Sequence, residues 1–207
     1  MATVLKCRGA KPVYRKIVVV GDGACGKTSL LNVFVKGYFP QIYEPTVFEN
    51  YVHETNINGK TLELSLWDTA GQEEYDRLRS LSYADTHVIM LCFSVDNRDS
   101  LENCSSKWMK EILQQCPGVK VVLVALKCDL REDEATMKSM ARFGDHPVTY
   151  TEGVTVARNI NAMRYLECSA MHNRGVHECF EQSALVALQA KAKGGNEVHH
   201  KQSCLIV

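Results

Sequence analysis

Short apolar runs alternate with amphipathic stretches along this chain of 207 residues. The continuous apolar runs "KIVVV" (16–20), "HVIMLCF" (87–93) and "VKVVLVAL" (119–126) are typical of central strands that are covered on both faces. Leucines alternate in "LELSLW" (62–67), which predicts a strand with one strongly apolar face, and "MRYLECS" (163–169) is a shorter strand candidate. The succession predicts an α/β domain with a mainly parallel sheet.

Helices are predicted between these strands, from about Lys27 to Lys36, from Ser100 to Gln115 and from Gly175 to Lys193. The last one has an apolar stripe at helical spacing, formed by Val176, Cys179, Phe180, Ala184 and Ala187. The polar stretch "GGNEVHHKQS" then ends the pattern. We therefore predict three parts: a flexible N-terminal extension (1–13), one domain (14–193) and a variable tail (194–207).

Composition narrows the class of protein. Apolar residues make up 45% and charged residues 23% of the chain, as in ordinary globular proteins. The formal net charge is zero, which argues against a nucleic-acid partner. No apolar run approaches the roughly 18 residues of a membrane span and no signal-peptide core is present, so we expect a cytosolic chain. The nine cysteines include no C-x-x-C pair, which favours reduced core residues over disulfides or a zinc site.

The stretch "GDGACGKTSLL" follows the first predicted strand and opens the first predicted helix. Its spacing, Gly21-x-x-x-x-Gly26-Lys27-Thr28, fits a phosphate-binding loop, in which glycines let successive backbone N–H groups turn towards a phosphate. Lys27 is expected to contact the β- and γ-phosphates, and the hydroxyl of Thr28 to ligate Mg²⁺. The alternative is a strand-to-helix turn without a ligand, which leaves the lysine and the threonine unexplained. The predicted phosphate-contacting set also includes Asp22, Gly23, Ala24, Cys25 and Ser29.

The stretch "LELSLWDTAGQEEYDRLR" supplies a second group of candidates at the end of another strand. Asp68 is placed to hold Mg²⁺ through water, and Gly71 to present its N–H to the γ-phosphate. Gln72 is placed to orient an attacking water. Taken alone, Asp68 could cap a turn and Gln72 could be a surface amide. Beside an intact phosphate loop, the catalytic interpretation is favoured.

Two further segments indicate which base is bound. Asp129 in "LKCD" can accept hydrogen bonds from guanine N1–H and from its exocyclic amine, a donor pair that adenine lacks. The stem of Lys127 is expected to lie along the base, next to Leu130. In "CSA" (168–170), the N–H of Ala170, which follows Ser169, is placed to reach guanine O6. Together these segments predict GTP and GDP as substrate and bound ligand.

The chain resembles the Rho family of small GTPases from Tyr14 to Val207. The resemblance rests on "GDGACGKT", "YEPTVFENY", "WDTAGQEEYDRLR", "KCDL", "ECSA" and the C-terminal "CLIV". It implies a phosphate-loop G domain with a mainly parallel six-stranded sheet, flanking helices and an extra helical insert at about 131–147. The segment "ALKCDL" is similar to the corresponding segment of a fungal Rho subgroup. That subgroup is tied to polarised growth, the actin cytoskeleton and exocytosis.

The same resemblance implies a switch mechanism. Thr46 would ligate Mg²⁺ and sense the γ-phosphate, Tyr43 would close over the phosphates, and Phe39 would pack against guanine. Two segments, about 38–49 and 70–80, would become ordered with GTP and relax after hydrolysis. The effector region would comprise Tyr43, Glu44, Pro45, Thr46, Val47, Phe48, Glu49, Asn50 and Tyr51. Its aromatic side chains are expected to be exposed.

The motifs assign no arginine finger within the chain. Intrinsic hydrolysis is therefore expected to be slow, with an activating protein supplying an arginine worth about 10³–10⁵-fold in rate. Gly23 fits this scheme, since a side chain there would crowd Gln72 and the incoming arginine. The alternative is a Rho-like binding module that stays on GTP with negligible hydrolysis. An ATPase or a nucleoside kinase is disfavoured by Asp129.

Partners and location follow from the resemblance. We expect a monomer that meets activating proteins, exchange factors, a Rho-type dissociation inhibitor and effectors. Cys204 begins a C-a-a-X prenylation signal, whose alternative is an idle cysteine, and the choice of prenyl group stays open. One lipid seldom anchors stably, and Cys7 is a candidate palmitoylation site or an unmodified thiol. The implied location is the cytoplasmic face of the plasma membrane, with a cytosolic pool.

Two residues depart from the family pattern. Leu126 stands where Asn or Thr is usual, so a side-chain hydrogen bond between the base loop and the phosphate loop is expected to be missing. Met171 stands where Lys is common. We therefore expect somewhat weaker or faster-exchanging nucleotide rather than loss of binding.

Overall fold

A computed structural model describes residues 11–42 and 45–190 of the chain. The strands are β1 (Val13–Gly21), β2 (Phe48–Ile57), β3 (Lys60–Thr69), β4 (Val88–Ser94), β5 (Lys120–Leu126) and β6 (Arg164–Glu167). The α-helices are α1 (Lys27–Lys36), α2 (Asp76–Ser80), α3 (Arg98–Asn103), α4 (Met109–Gln115), α5 (Glu134–Ala141), α6 (Tyr150–Asn159) and α7 (Val176–Leu188). The predicted sites Cys7, Tyr43, Glu44 and Cys204 lie outside the described residues.

The strands form one six-stranded sheet in the order β2-β3-β1-β4-β5-β6. β1 pairs in parallel with both β3 and β4, and β5 pairs in parallel with β4 and β6, whereas β2 is antiparallel to β3. The carboxyl ends of β1, β3 and β5 therefore meet at one edge, where α/β sheets bind their ligands. This topology brings the glycine-rich loop, Asp68 and Asp129 to the same end of the molecule.

The central strands send alternate side chains into two cores, one on each face of the sheet. Ile17 and Val19 enter the core beneath α1 and α7, while Val18 and Val20 enter the core beneath the segment 98–116. All four are fully buried, as expected of a parallel strand with helices on both faces. The apolar stripe predicted on the last helix is also buried.

Three predicted elements differ in detail. The last helix begins at Val176 and ends at Leu188, so the prediction that it continues to Lys193 is wrong within the described residues. The predicted helix 100–115 begins at Arg98 and is interrupted by a π-helical segment, Cys104–Trp108. The predicted insert contains α5, and none of the residues of α5 is buried.

Candidate functional site

The glycine-rich loop joins β1 directly to α1. A Cβ on Gly21 would lie 2.1 Å from the carbonyl oxygen of Cys92, so no larger residue fits there without moving a neighbouring strand. Gly26 has a φ of 109° and precedes the first residue of α1, Lys27. The Lys27 ammonium is almost fully buried and donates to the carbonyl oxygens of Gly21 and Asp22, each at 2.8 Å. The loop thus holds one positive charge at the N-terminus of a helix, an arrangement suited to phosphate.

The middle of the loop is fixed by different contacts. The N–H of Cys25 donates to the carbonyl oxygen of Asp22 at 3.4 Å, closing a tight turn around Gly23 and Ala24. The Cys25 thiol is buried, and burial raises its pKa. Ser29, in the first turn of α1, lines the pocket described below.

The candidate metal ligands come together beside this loop. The hydroxyls of Thr28 and Thr46 are in direct hydrogen-bond contact although they lie 18 positions apart. Asp68 is fully buried, and neither of its carboxylate oxygens has a hydrogen-bond partner among the described residues. Burial raises the pKa of Asp68 to about 6, against the lowering effects of nearby Thr28 and Lys27. Two hydroxyls and an unpartnered carboxylate are the oxygen donors that Mg²⁺ takes, so these residues fit the ion.

The loop after β3 packs directly on the glycine-rich loop. A Cβ on Gly71 would lie 2.3 Å from the backbone nitrogen of Gly23, so this glycine allows the two loops to touch. The side chain of Gln72 lies beside Gly23, at 3.5 Å from the position that a Cβ would occupy. That is an ordinary van der Waals distance. The expectation that any side chain at Gly23 crowds Gln72 is therefore wrong for a methyl group, since only a longer side chain would meet the amide closely.

The base end of the site is an apolar pocket. It is lined by Gly26, Ser29, Phe39, Leu126, Lys127, Asp129, Leu130, Ala170 and Met171. The Oδ1 atom of Asp129 is buried and has no hydrogen-bond partner among the described residues. A buried acceptor without a donor is costly, so this atom fits the N–H groups of a base. Ser169 is buried, and its backbone pairs with Arg174 in the turn after β6.

A half-buried ion pair holds the two base-binding segments together. Arg131 follows Asp129 closely and donates two parallel hydrogen bonds to the Glu167 carboxylate, each at 2.8 Å. Its Nε also donates to the carbonyl oxygen of Val148 at 2.9 Å. Burial alone would raise the pKa of Glu167, but the hydrogen bond and charge of Arg131 outweigh it and lower the pKa. Sequence analysis did not identify this pair.

The described part of the predicted effector region runs into β2. Phe48 packs edge-on against Trp67, with ring centroids 5.2 Å apart, and Tyr51 lies beneath Lys36. Both aromatic residues are half-buried, so the expectation that they are exposed is only partly right. Pro45, Val47, Glu49 and Asn50 are exposed.

Comparison with known proteins decides the family. A sequence profile described as the Ras family matches residues 16–189. The chain is 60% identical to "GTP-binding protein rho3" of Schizosaccharomyces pombe, over 97% of this chain and 98% of the relative. This chain is a Rho-type member of the Ras family. It is also 67% identical to "GTP-binding protein Rho3" of Schizophyllum commune, over 84% of this chain and 85% of that relative.

Membership of the Rho family makes the chain a small GTPase, and its resemblance to fungal Rho proteins is confirmed. "GTP-binding protein RHO1" of Saccharomyces cerevisiae is 54% identical over 87% of both chains. The predicted sheet of six strands, mostly parallel and flanked by helices, is likewise confirmed. None of the helices formed by residues 11–42 and 45–190 has the length and apolar character needed to span a bilayer.

Proposed function

We propose that this Rho-type GTPase binds GTP and GDP across the glycine-rich loop and works as a molecular switch. The observation that carries the proposal is a set of buried carboxylate oxygens without hydrogen-bond partners, both oxygens of Asp68 at the phosphate end and Oδ1 of Asp129 at the base end. A protein seldom leaves such groups unpaired unless a ligand satisfies them. The glycine-rich loop would supply the donors for the phosphates, together with Lys27, whose ammonium is held at the carbonyl oxygens of Gly21 and Asp22.

Magnesium is the ion that the phosphate end fits. Thr28 and Thr46 would hold it through their hydroxyls, and Asp68 would hold it through water. When bound, it neutralises charge that develops on the phosphates. The contact between Thr28 and Thr46 supports the idea that one ion takes both hydroxyls.

Hydrolysis is assigned to Gln72, which would orient the attacking water, with Lys27 and the N–H of Gly71 facing the γ-phosphate. Arg79 contacts this loop, but it is 1% exposed and its donors are used by Glu111, Asp76, Ala70 and Gln72. It is therefore not free to act as an arginine finger. An activating protein would supply that group.

The switch segments are proposed to be residues 38–49 and 70–80. The γ-phosphate would give them shared contacts through Thr46 and Gly71, and hydrolysis would release both. Exchange factors, a dissociation inhibitor and effectors would distinguish the two states, in a role in polarised growth or exocytosis. Prenylation of Cys204, with Cys7 as a second candidate site, would hold the protein at the cytoplasmic face of the plasma membrane.

The Gln72→Leu variant tests the proposal. It should bind GTP with unchanged affinity but hydrolyse it at least about tenfold more slowly, because leucine cannot orient water. The measurement is phosphate release from protein loaded with GTP and magnesium, with and without a Rho-type activating protein. Normal turnover by the variant would refute the role of Gln72. Negligible hydrolysis by the wild type under both conditions would favour the GTP-locked binding module instead.

A further inference from the structure

Asp22, the second residue of the glycine-rich loop, is held by side chains from a distant helix. Trp108 Nε1 donates to its Oδ1 at 2.6 Å, and Asn103 Nδ2 donates to its Oδ2 at 2.8 Å. Hydrogen bonds to a charged acceptor are stronger than neutral ones. The glycine-rich loop is therefore fastened to the middle of the helical segment 98–115.

The π-helical segment makes this double contact possible. Asn103 and Trp108 are five positions apart, and in a regular α-helix such residues point about 140° away from each other. A π turn has i→i+5 hydrogen bonds and brings these two positions to nearly the same side. The segment Cys104–Trp108 lies between them, so the irregular turn directs both donors to one carboxylate. Such π turns are frequent at functional sites.

The same indole also contacts Arg79, which binds the backbone of the loop that carries Gln72. The guanidinium of Arg79 lies 4.8 Å from the centre of the Trp108 ring. Arg79 Nη1 donates to the carbonyl oxygen of Ala70 at 2.8 Å and to that of Gln72 at 3.3 Å. These two carbonyls flank Gly71. One fully buried indole therefore contacts the glycine-rich loop directly and the loop that carries Gln72 through Arg79.

Hydrogen bonds from Arg79 to Glu111 also hold its guanidinium in place. Glu111, one turn after Trp108, accepts from Arg79 Nε at 2.7 Å and from Nη2 at 2.9 Å. The hydroxyl of Tyr83 donates to the same carboxylate at 2.7 Å. Arg79 therefore has little freedom to shift, and a displacement of Trp108 would pass to the backbone at Gln72.

We propose that Trp108 is a positioning residue for GTP hydrolysis, which acts on the glycine-rich loop through Asp22 and on Gln72 through Arg79. The proposal rests on the GTPase mechanism given above. It adds that the helical segment 98–115 sets the relative placement of the two loops. Because Gly71 packs on the backbone of Gly23, a small displacement of either loop would move Gln72 away from the attacking water.

Trp108→Phe is the decisive variant, because phenylalanine keeps a ring beneath Arg79 but lacks the Nε1–H that binds Asp22. Single-turnover GTP hydrolysis should fall by about tenfold, while the affinity for GTP changes by less than about twofold. Asn103→Leu removes the second donor at a half-buried position and should slow hydrolysis by a smaller factor. Ile112→Val is the matched control, since Ile112 is buried on the same helical segment and its side chain has no donor for Asp22.

The double variant Trp108→Phe/Gln72→Leu separates positioning from general stability. If Trp108 acts through Gln72, its substitution should slow the Gln72→Leu background by less than about twofold. Equal slowing in both backgrounds, or wild-type hydrolysis by both Trp108→Phe and Asn103→Leu, would overturn the proposal. A wild-type protein that does not hydrolyse GTP would instead contradict the GTPase mechanism itself, so the two failures are distinguishable.

Tryptophan fluorescence gives a second readout that needs no catalysis. The chain has two tryptophans, so Trp67→Phe leaves Trp108 as the single emitter. Its emission should differ between the complex with GDP and the complex with a non-hydrolysable GTP analogue, because Arg79 and Asp22 both contact the ring system. Identical spectra in the two complexes would show that Trp108 does not sense the loops and would overturn the proposal.

Discussion

Leu126 lies at the boundary between the base-binding segment and the glycine-rich loop. Its side chain is 2% exposed, and its Cδ1 lies 3.7 Å from where a Cβ of Gly26 would be. The two segments therefore remain in contact through apolar packing. Leucine cannot provide a hydrogen bond. Apolar packing alone therefore does little to stop the base-binding segment and the glycine-rich loop from moving apart.

Replacing Leu126 with Asn should slow the release of GDP by about two- to tenfold, which corresponds to the roughly 0.5–1.5 kcal/mol of one hydrogen bond. Displacement of a fluorescent GDP analogue measures this rate. Leu126→Met is the matched control, because it keeps an apolar side chain of similar volume. An unchanged rate in Leu126→Asn would show that the position has no part in nucleotide exchange.

For single residues, the sequence predicts the function of those that belong to local motifs. Lys27, Asp68 and Asp129 could each be assigned because the motif, the strand before it and the sheet edge agree. Trp108 and Asp22 are 86 positions apart, and nothing local indicates that an indole reaches the glycine-rich loop. The contact depends on a π turn, for which the sequence gives no clear signal.

Among the strands, too, some could be predicted from the sequence and one could not. Continuous apolar runs identified β1, β4 and β5 because these strands are buried on both faces. β2 was not identified as a strand, since it lies at the sheet edge and most of its side chains are at least partly exposed. The signal that could have found it is Asn58-Gly59, a two-residue hairpin turn between β2 and β3.

The pairing of Arg131 with Glu167 predicts how the base-binding segments depend on each other. Arg131→Met should raise the rate of GDP release by about tenfold, because Glu167 would keep a half-buried charge without its partner and the segment after β5 would loosen. Nucleotide-exchange kinetics measure the effect. Arg142→Met, at an exposed arginine directly after α5, should leave the rate unchanged. Equal rates in the wild type and Arg131→Met would contradict this role.

For the whole molecule, the contact between α3 and α6 predicts how stability depends on pH. Arg98 donates to Glu152 at 2.6 Å, and this hydrogen bond lowers the pKa of Glu152 from 4.5 to about 2. A carboxyl group with a lowered pKa in the folded state contributes stability above pH 4.5 and loses that contribution as the pH falls towards 2. Both side chains are about a third exposed, so the contribution at neutral pH is about 1 kcal/mol or less.

Glu152→Gln should therefore lower the free energy of unfolding at pH 7 by about 0.5–1 kcal/mol. The difference from the wild type should shrink as the pH falls below 4.5, because the unfolded wild-type chain then takes up a proton at Glu152 that the folded chain takes up only near pH 2. Urea unfolding at a series of pH values measures it. Glu134→Gln, which breaks an exposed pair with Lys138, should cost only about 0.3 kcal/mol. A constant Glu152→Gln difference down to pH 3 would contradict the assignment.

The cysteines of the described residues are protected from alkylation in the folded protein. All are buried, and burial raises the pKa of Cys25 and Cys92. Only a thiolate reacts readily with alkylating reagents, so in the native state these positions are both hidden and inert. Alkylation must then wait for a local opening event. Cys25 lies within the phosphate-binding turn, so the rate at which its thiol is alkylated would report how often that turn opens. The same rate would follow the release of a bound nucleotide without a probe attached to the nucleotide.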